Sequence, residues 1–189
     1  MEKNLLKYVI VMQSILDKKI CKQTISELSK LKHWQKHKFY NANTNQFEYL
    51  SGNKELSTIY SNIKHKLFIE EKIKLAIHTY ISELKFSWFG NYQGFNEIRF
   101  NKYNLKTKMA EHCDHIHSMF DGNKKGVPIL SIVGLLNDNY KGGEFIMFQD
   151  KEIYLKTGDV LIFPSNFLFP HKVQPIKKGT RYSFVSWVY

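Results

Sequence analysis

The chain is poor in cysteine, in long apolar runs and in arginine. Its two cysteines, Cys21 and Cys113, lie far apart and form no CxxC pair. No disulfide framework can be drawn from them, so a reducing compartment, and hence a cytoplasmic protein, is expected. No apolar segment reaches membrane-spanning length. YVIVM at residues 8–12 is too short for a signal-peptide core and no small-residue cleavage site follows it, so a soluble protein with no membrane partner is expected. Of the 28 basic residues only Arg99 and Arg181 are arginine. In a chain that otherwise uses lysine, an arginine suggests a position that needs a planar, two-pronged donor.

The 189 residues suit one domain, 1–189, able to bury a full core without covalent staples. The net charge of +11 raises the question of a nucleic-acid partner. The excess is spread, however: 15 Lys/Arg against 8 Asp/Glu up to residue 90, and 13 against 9 after it. Solvated lysine-rich faces explain it better than a nucleic-acid groove, and an acidic substrate or partner stays open. The oligomeric state is not legible.

Residues 1–90 read as mainly helical support. After a short strand near Tyr8–Met12, Asp17 can cap a helix to about Leu31, with Ile20, Thr24, Leu28 and Leu31 on its buried stripe. Residues 37–51 suit a hairpin or loop, and the aromatic stretch 39–49 is read as an ordinary connection rather than the rim of a site. From Glu55 to Leu84, Ile59, Ile63, Ile73, Ile77, Ile81 and Leu84 recur at helical spacing, with a break near 66–69 into two helices. His33, His37, His65 and His78 fall in this half and are read as surface or packing residues. Residues 91–189 change character. Short β-branched and aromatic runs such as PILSIVGLL, DVLIF and TRYSFVSWVY alternate with DGNKKG, NDNYKGG, KTGD and IKKG. That spacing predicts a β-sandwich or barrel, and an α+β class for the whole.

AEHCDHIHS, residues 110–118, carries the chemistry. On a strand, His112 and Asp114 share one face, while Cys113 and His115 take the other. An imidazole beside a carboxylate is two-thirds of a facial triad, the geometry that suits non-haem Fe(II). His171, at the start of HKVQP, is the best candidate for the third ligand. His117 lies beyond the strand, where packing or solvent exposure is the simpler reading. Arg181 and Ser183 share a strand face ten residues after His171, and a guanidinium beside a hydroxyl makes an anchor for a carboxylate. The loop 117–128, with Phe120, is read equally as a lid or as a surface connection.

In this order the motifs resemble the 2-oxoglutarate- and Fe(II)-dependent dioxygenases, and more narrowly their prolyl 4-hydroxylase-like branch. The residues that carry the resemblance are HCD at 112–114, Tyr103 nine residues before His112, LND followed by GGEF at 135–145, GDVLIFPS at 158–165, HKVQP at 171–175 and RYSFVSW at 181–187. The resemblance implies a double-stranded β-helix, a jelly-roll or cupin-like barrel, buttressed by the N-terminal helices. It implies that His112, Asp114 and His171 bind Fe(II) and that Arg181 pairs with the distal carboxylate of 2-oxoglutarate. Ser183 and Tyr103 would add hydrogen bonds to this co-substrate, and Trp187 would wall the site. It further implies O2 as oxidant, release of succinate and CO2, room for ascorbate as an accessory reductant, and a protein or peptide substrate hydroxylated at proline. The chain departs from the branch in two places: Met109 stands three residues before His112 where a tyrosine is common, and Val133–Leu135 lack the tyrosine that some relatives place there. Asp114 argues against a halogenase. Two rivals remain. One is the same chemistry on a nucleobase or small molecule, against which stands Trp187 in place of a second arginine. The other is a non-catalytic metal-binding interaction domain.

Overall fold

The structure, a computed structural model, describes residues 2–41, 44, 46–49, 54–87, 89, 92–114 and 128–189. In chain order the first half gives α1 (Glu2–Leu5), β1 (Ile10–Met12), α2 (Lys18–Leu28), β2 (Gln35–Lys36), β3 (Phe39–Asn41), β4 (Gln46–Glu48), β5 (Ser57–Tyr60) and α3 (Lys66–Leu84). The second half is all strand: β6 (Arg99–Tyr103), β7 (Met109–His112), β8 (Leu130–Leu135), β9 (Lys141–Gly142), β10 (Phe145–Met147), β11 (Lys151–Ile153), β12 (Val160–Pro164), β13 (His171–Val173), β14 (Ile176–Lys178) and β15 (Arg181–Val188).

Seven strands form a large sheet in the order β1-β12-β8-β15-β6-β5-β2, and four form a small sheet in the order β11-β10-β13-β7. The named strands pair antiparallel throughout. This is the double-stranded β-helix, with helices on one sheet, as expected. Strand alternation divides the interior in two. Phe100, Ile132, Val160, Ile162, Phe184 and Val188 point outward from the large sheet and meet the helices in one core. Tyr103, Val133, Leu161 and Phe163 point the other way and meet Phe145, Met147 and Val173 of the small sheet in a second core. Central β8 is buried on both faces, which is why its sequence is a continuous rather than alternating apolar run.

The helices differ in detail from the sequence reading. Asp17 does cap α2: its Oδ1 accepts from the Lys19 backbone N–H at 2.6 Å. The fully buried stripe is Cys21, Thr24 and Leu28 rather than one starting at Ile20, and Leu31 packs just beyond the helix end. Residues 55–65 are not helical. Ser57–Tyr60 is strand β5, paired with β6, because Thr-Ile-Tyr favours an extended backbone and an open sheet edge accepts it. The spacing of Ile59 and Ile63 coincided with a helical period. A single helix follows, α3, burying Ile69, Ile73, Ala76, Ile77 and Tyr80. Each large side chain among these contributes on the order of 1.5–3 kcal/mol, and Tyr80 also donates its hydroxyl proton to the Tyr8 carbonyl at 2.8 Å. Of the hairpin or loop expected in 37–51, the structure forms a hairpin, β3 against β4. Residues 1–90 thus supply three strands of the large sheet as well as the helices.

Gly134 fixes how closely β8 and β15 lie. It pairs directly with Phe184, and a Cβ at this glycine would stand 2.0 Å from the Phe184 ring. The ring covers the glycine and fills the helix-side core. Gly134→Ala is expected to lower stability by about 1–3 kcal/mol through overpacking. An unchanged urea midpoint would show that Phe184 can move aside.

Candidate active site

β7 and β13 pair so that His112 and His171 are directly opposite. Their ring centroids lie 4.3 Å apart. The Nδ1 of His112 is 2.8 Å from the Ala110 carbonyl, and the Nδ1 of His171 is 3.1 Å from the Phe169 carbonyl. A carbonyl only accepts, so each Nδ1 carries the proton and each Nε2 keeps its lone pair for the cavity. Phe145 stacks on the His171 ring at 5.4 Å and Phe163 meets it edge-on at 5.0 Å, which fixes its orientation.

Asp114 lies past the end of β7, in a bend, so simple strand alternation does not place it. It reaches the same point by other means. Its Oδ1 is 3.4 Å from His112 Nε2 and 3.7 Å from His171 Nε2, and Ser131 on β8 donates a hydrogen bond to its Oδ2. Ser131 is itself hydrogen-bonded to Ser165. One ligand atom from each of His112, Asp114 and His171 lies within 4.8 Å of the others. Burial works to raise the Asp114 carboxyl, but the two imidazoles and the Ser131 hydroxyl outweigh it and hold the group well below the usual carboxylate range. Burial, with His112 beside it, lowers His171 to about 4 against the opposing pull of Asp114. At neutral pH the cluster offers an ionised carboxylate and a neutral His171 imidazole, the protonation states a metal requires. Two imidazole nitrogens and one carboxylate oxygen fit Fe(II), and no cysteine joins them: Cys113 turns away and donates its S–H to the Phe167 carbonyl at 3.4 Å.

Arg181 opens β15 and is 1% exposed. It pairs across strands with Tyr103, whose ring centroid is 5.0 Å from the guanidinium carbon. Its Nη1 donates to Ser183 Oγ at 2.9 Å, while its buried Nε has no partner. Among the described residues no carboxylate forms an ion pair with it. A guanidinium buried beside neutral groups alone is costly, so this arrangement is built to receive an anion. Arg181, Ser183, Tyr103, Trp187 and the three clustered residues all line one cavity, as do Met109 and Val133.

Residues 98–189 match the 2OG-Fe(II) oxygenase superfamily. The match takes in just under half of the chain. It is 30% identical over 99 residues to a PKHD-type hydroxylase of Crocosphaera subtropica, covering 50% of this chain and 43% of that protein. To a PKHD-type hydroxylase of Prochlorococcus marinus it is 41% identical over 84 residues, covering 43% of this chain and 37% of the relative. The matched segment thus spans less than half the length of these curated relatives. Among solved structures, a prolyl-4-hydroxylase of Pseudomonas putida superposes with a TM-score of 0.68 at 16% identity, covering 98% of this chain and 95% of the other. A Trichoplax adhaerens prolyl hydroxylase, solved with a peptide fragment of the hypoxia-inducible factor oxygen degradation domain, gives 0.68 at 19%, covering 98% and 86%. The fold is therefore that of the prolyl-hydroxylase-like 2OG oxygenases.

The structure corrects two readings from the N-terminal half. His37 is no ordinary packing residue: burial first, then Arg99 and His112, lower it to about 3, which places it within electrostatic reach of the cluster. Phe39, read as part of an ordinary connection, meets the His112 ring edge-on at 6.4 Å and His37 at 4.8 Å. His33 and His78 are exposed and His65 sits at the start of α3, as expected. His115, His117, Phe120 and the proposed lid up to residue 127 lie outside the described residues. Ser131 and Asn101 were missed. For Ser131 a signal existed: it is the one hydroxyl inside the apolar run PILSIVGLL.

Two neutral histidines, His171 buried and His37 half-buried, make stability depend on pH. Their folded values, about 4 for His171 and about 3 for His37, lie below the ordinary 6.5. As pH falls through that window the unfolded chain binds protons first, so stability falls. The slope reaches up to about 1.4 kcal/mol per pH unit for His171 and less for the partly exposed His37. Urea titrations of the metal-free protein between pH 7 and 4.5 (roughly this window) should show the decline, and His37→Gln should flatten it. A slope unchanged by both His37→Gln and His171→Gln would refute the assignment.

Proposed function

We propose that this chain is an Fe(II)- and 2-oxoglutarate-dependent dioxygenase that hydroxylates a peptidyl substrate at proline, with release of succinate and CO2. The reading rests on one observation above the rest: Arg181, buried with no carboxylate partner among the described residues, faces the same cavity as His112, Asp114 and His171. In this reading His112 Nε2, Asp114 Oδ1 and His171 Nε2 hold Fe(II). Arg181 takes the distal carboxylate of 2-oxoglutarate in a two-pronged contact. Ser183 orients the guanidinium, and Tyr103 floors that end of the cavity. With O2, the bound iron and co-substrate supply oxidative decarboxylation coupled to oxygen insertion into a C–H bond. The protein's part is to position both carboxylate and substrate, and to exclude water with Val133, Phe145 and Trp187. Ser131 keeps Asp114 ionised and aimed.

We read residues 1–189 as one such domain. Its two cysteines are free, which agrees with a cytoplasmic setting. No helix among the described residues is long and apolar enough to cross a membrane. A peptide substrate is supported by the peptide complex of the Trichoplax relative. The +11 charge is the observation that keeps nucleic acid in the test.

The test is 2-oxoglutarate turnover with Fe(II), O2 and ascorbate, against proline-rich peptides, nucleic acids and free amino acids. Succinate release with gain of one oxygen on a peptide is expected. Asp114→Ala and His171→Ala should abolish Fe(II)-dependent turnover. Arg181→Gln should weaken 2-oxoglutarate binding by roughly 2–5 kcal/mol. Normal turnover by His171→Ala, or unchanged co-substrate affinity in Arg181→Gln, would overturn the assignment.

Ser131→Ala removes the hydroxyl that orients Asp114. Fe(II) affinity, read by anaerobic titration, should fall about 10- to 100-fold with the fold intact. No change would mean that the bend alone positions the carboxylate.

A further inference from the structure

The second arginine of the chain repeats the signature of the first. Arg99 lies on β6 and lines the same cavity as the His112–Asp114–His171 cluster. Its guanidinium carbon stands 4.9 Å from the centroid of the Trp187 ring, and its buried Nε has no hydrogen-bond partner. Among the described residues no carboxylate forms an ion pair with it. Two residues along the same strand face, the buried Oδ1 of Asn101 is also without a partner. Of the buried unpartnered polar atoms among the described residues, those of Arg99, Asn101 and Arg181 all border this one cavity.

The two arginines do not serve one anion. Arg181 is opposite Tyr103 in the β15–β6 pairing, while Arg99 is opposite Val185. Four residues along a strand separate Arg99 from Tyr103, roughly 13 Å at the usual rise. Arg181 is sealed in, whereas Arg99 keeps partial exposure, so the cavity opens on the Arg99 side. His37 and Phe39, from the N-terminal half, stand on that side as well, beside His112. With the co-substrate at the closed end, the open end is left for the substrate.

We propose that Arg99, backed by the Trp187 ring, binds a carboxylate of the substrate, and that Asn101 Oδ1 accepts an N–H from the same molecule. The substrate class is an amino acid-type acid: an acidic side chain or C-terminal carboxylate of a peptide, or a free amino acid. The inference rests on reading the cavity as the active site of a 2-oxoglutarate oxygenase and narrows what that site accepts. Stacking on Trp187 leaves the guanidinium edge free for a planar, two-pronged contact that a lysine could not make.

The experiment measures binding, by calorimetry under nitrogen, to Fe(II)-loaded protein saturated with 2-oxoglutarate. Three acid–amide pairs are titrated: acetyl-Ala-Pro-Asp-amide against its Asn counterpart, acetyl-Ala-Pro with a free carboxyl against its amide, and L-proline against prolinamide. The acid of at least one pair should bind at least about tenfold tighter than its amide, the modest end for a charge-assisted pair. The pair showing the contrast identifies the source of the carboxylate. Arg99→Gln should erase the contrast, and Arg99→Lys should keep only part of it. Equal affinity within all three pairs, or a contrast that survives in Arg99→Gln, would overturn the proposal. If Arg99→Gln does not fold, an undiminished contrast in Arg99→Lys overturns it instead. Binding of 2-oxoglutarate alone, read first, tests the oxygenase reading. The acid–amide contrast is also read in Arg181→Gln without co-substrate, where Arg99 is tested whether or not that reading stands.

Discussion

His112 and His171 face each other across the β7–β13 pair, and the site is arranged around that single register. A slip of one residue would turn either imidazole to the other face of the small sheet. The register is held by packing on His171 from Phe145 and Phe163, which belong to different sheets. The third group, Asp114, is fixed across the gap by Ser131 of the large sheet. The cluster is therefore a product of two sheets lying face to face, and neither sheet alone would bring its three donors together.

That construction has a cost, visible on the inner face of the large sheet. On β6 and β15 the inward positions Arg99, Asn101, Arg181 and Ser183 are polar, while their outward neighbours Phe100, Phe184 and Val188 build the helix-side core. Interior positions that would otherwise add apolar burial are given to groups whose hydrogen-bonding capacity the protein leaves partly unused. Such groups are tolerated where a ligand completes them. The helix-side core, with Gly134 letting Phe184 lie flat on its neighbour strand, offsets the loss.

Much of this was legible in the chain itself. The strands of the second half announce themselves by period and turn residues. His112, His171 and Arg181 stand out because histidine and arginine at inward strand positions have few structural uses. The first half was harder. Ser57–Tyr60 carries a side-chain spacing compatible with a helix, and only its pairing with β6 decides for a strand. Asp114 lies beside His112 and His171, but the alternation rule that suggests it does not hold there, since the strand has ended and a hydrogen bond to Ser131 does the work instead. His37 was unreadable because its surroundings come from β6 and β7, about sixty or more residues away in sequence.

The N-terminal half is consequently more than a prop. Through β5 and β2 it extends the large sheet beyond β6, the strand that carries Arg99. The His37 backbone N–H donates to the Leu56 carbonyl at 2.9 Å, which ties the segment leading to Phe39 against β5 and so against the mouth of the cavity. The cavity-lining residues Arg99, Asn101, Arg181 and the clustered histidines and aspartate all come from the C-terminal half, and the N-terminal half adds His37 and Phe39 beside His112. The closed end, with Arg181 and the small sheet, lies in the segment shared with the superfamily. Phe39, outside the matched segment 98–189, meets the His112 ring edge-on. A site built this way can keep one reaction while its opening changes with the segment laid across it.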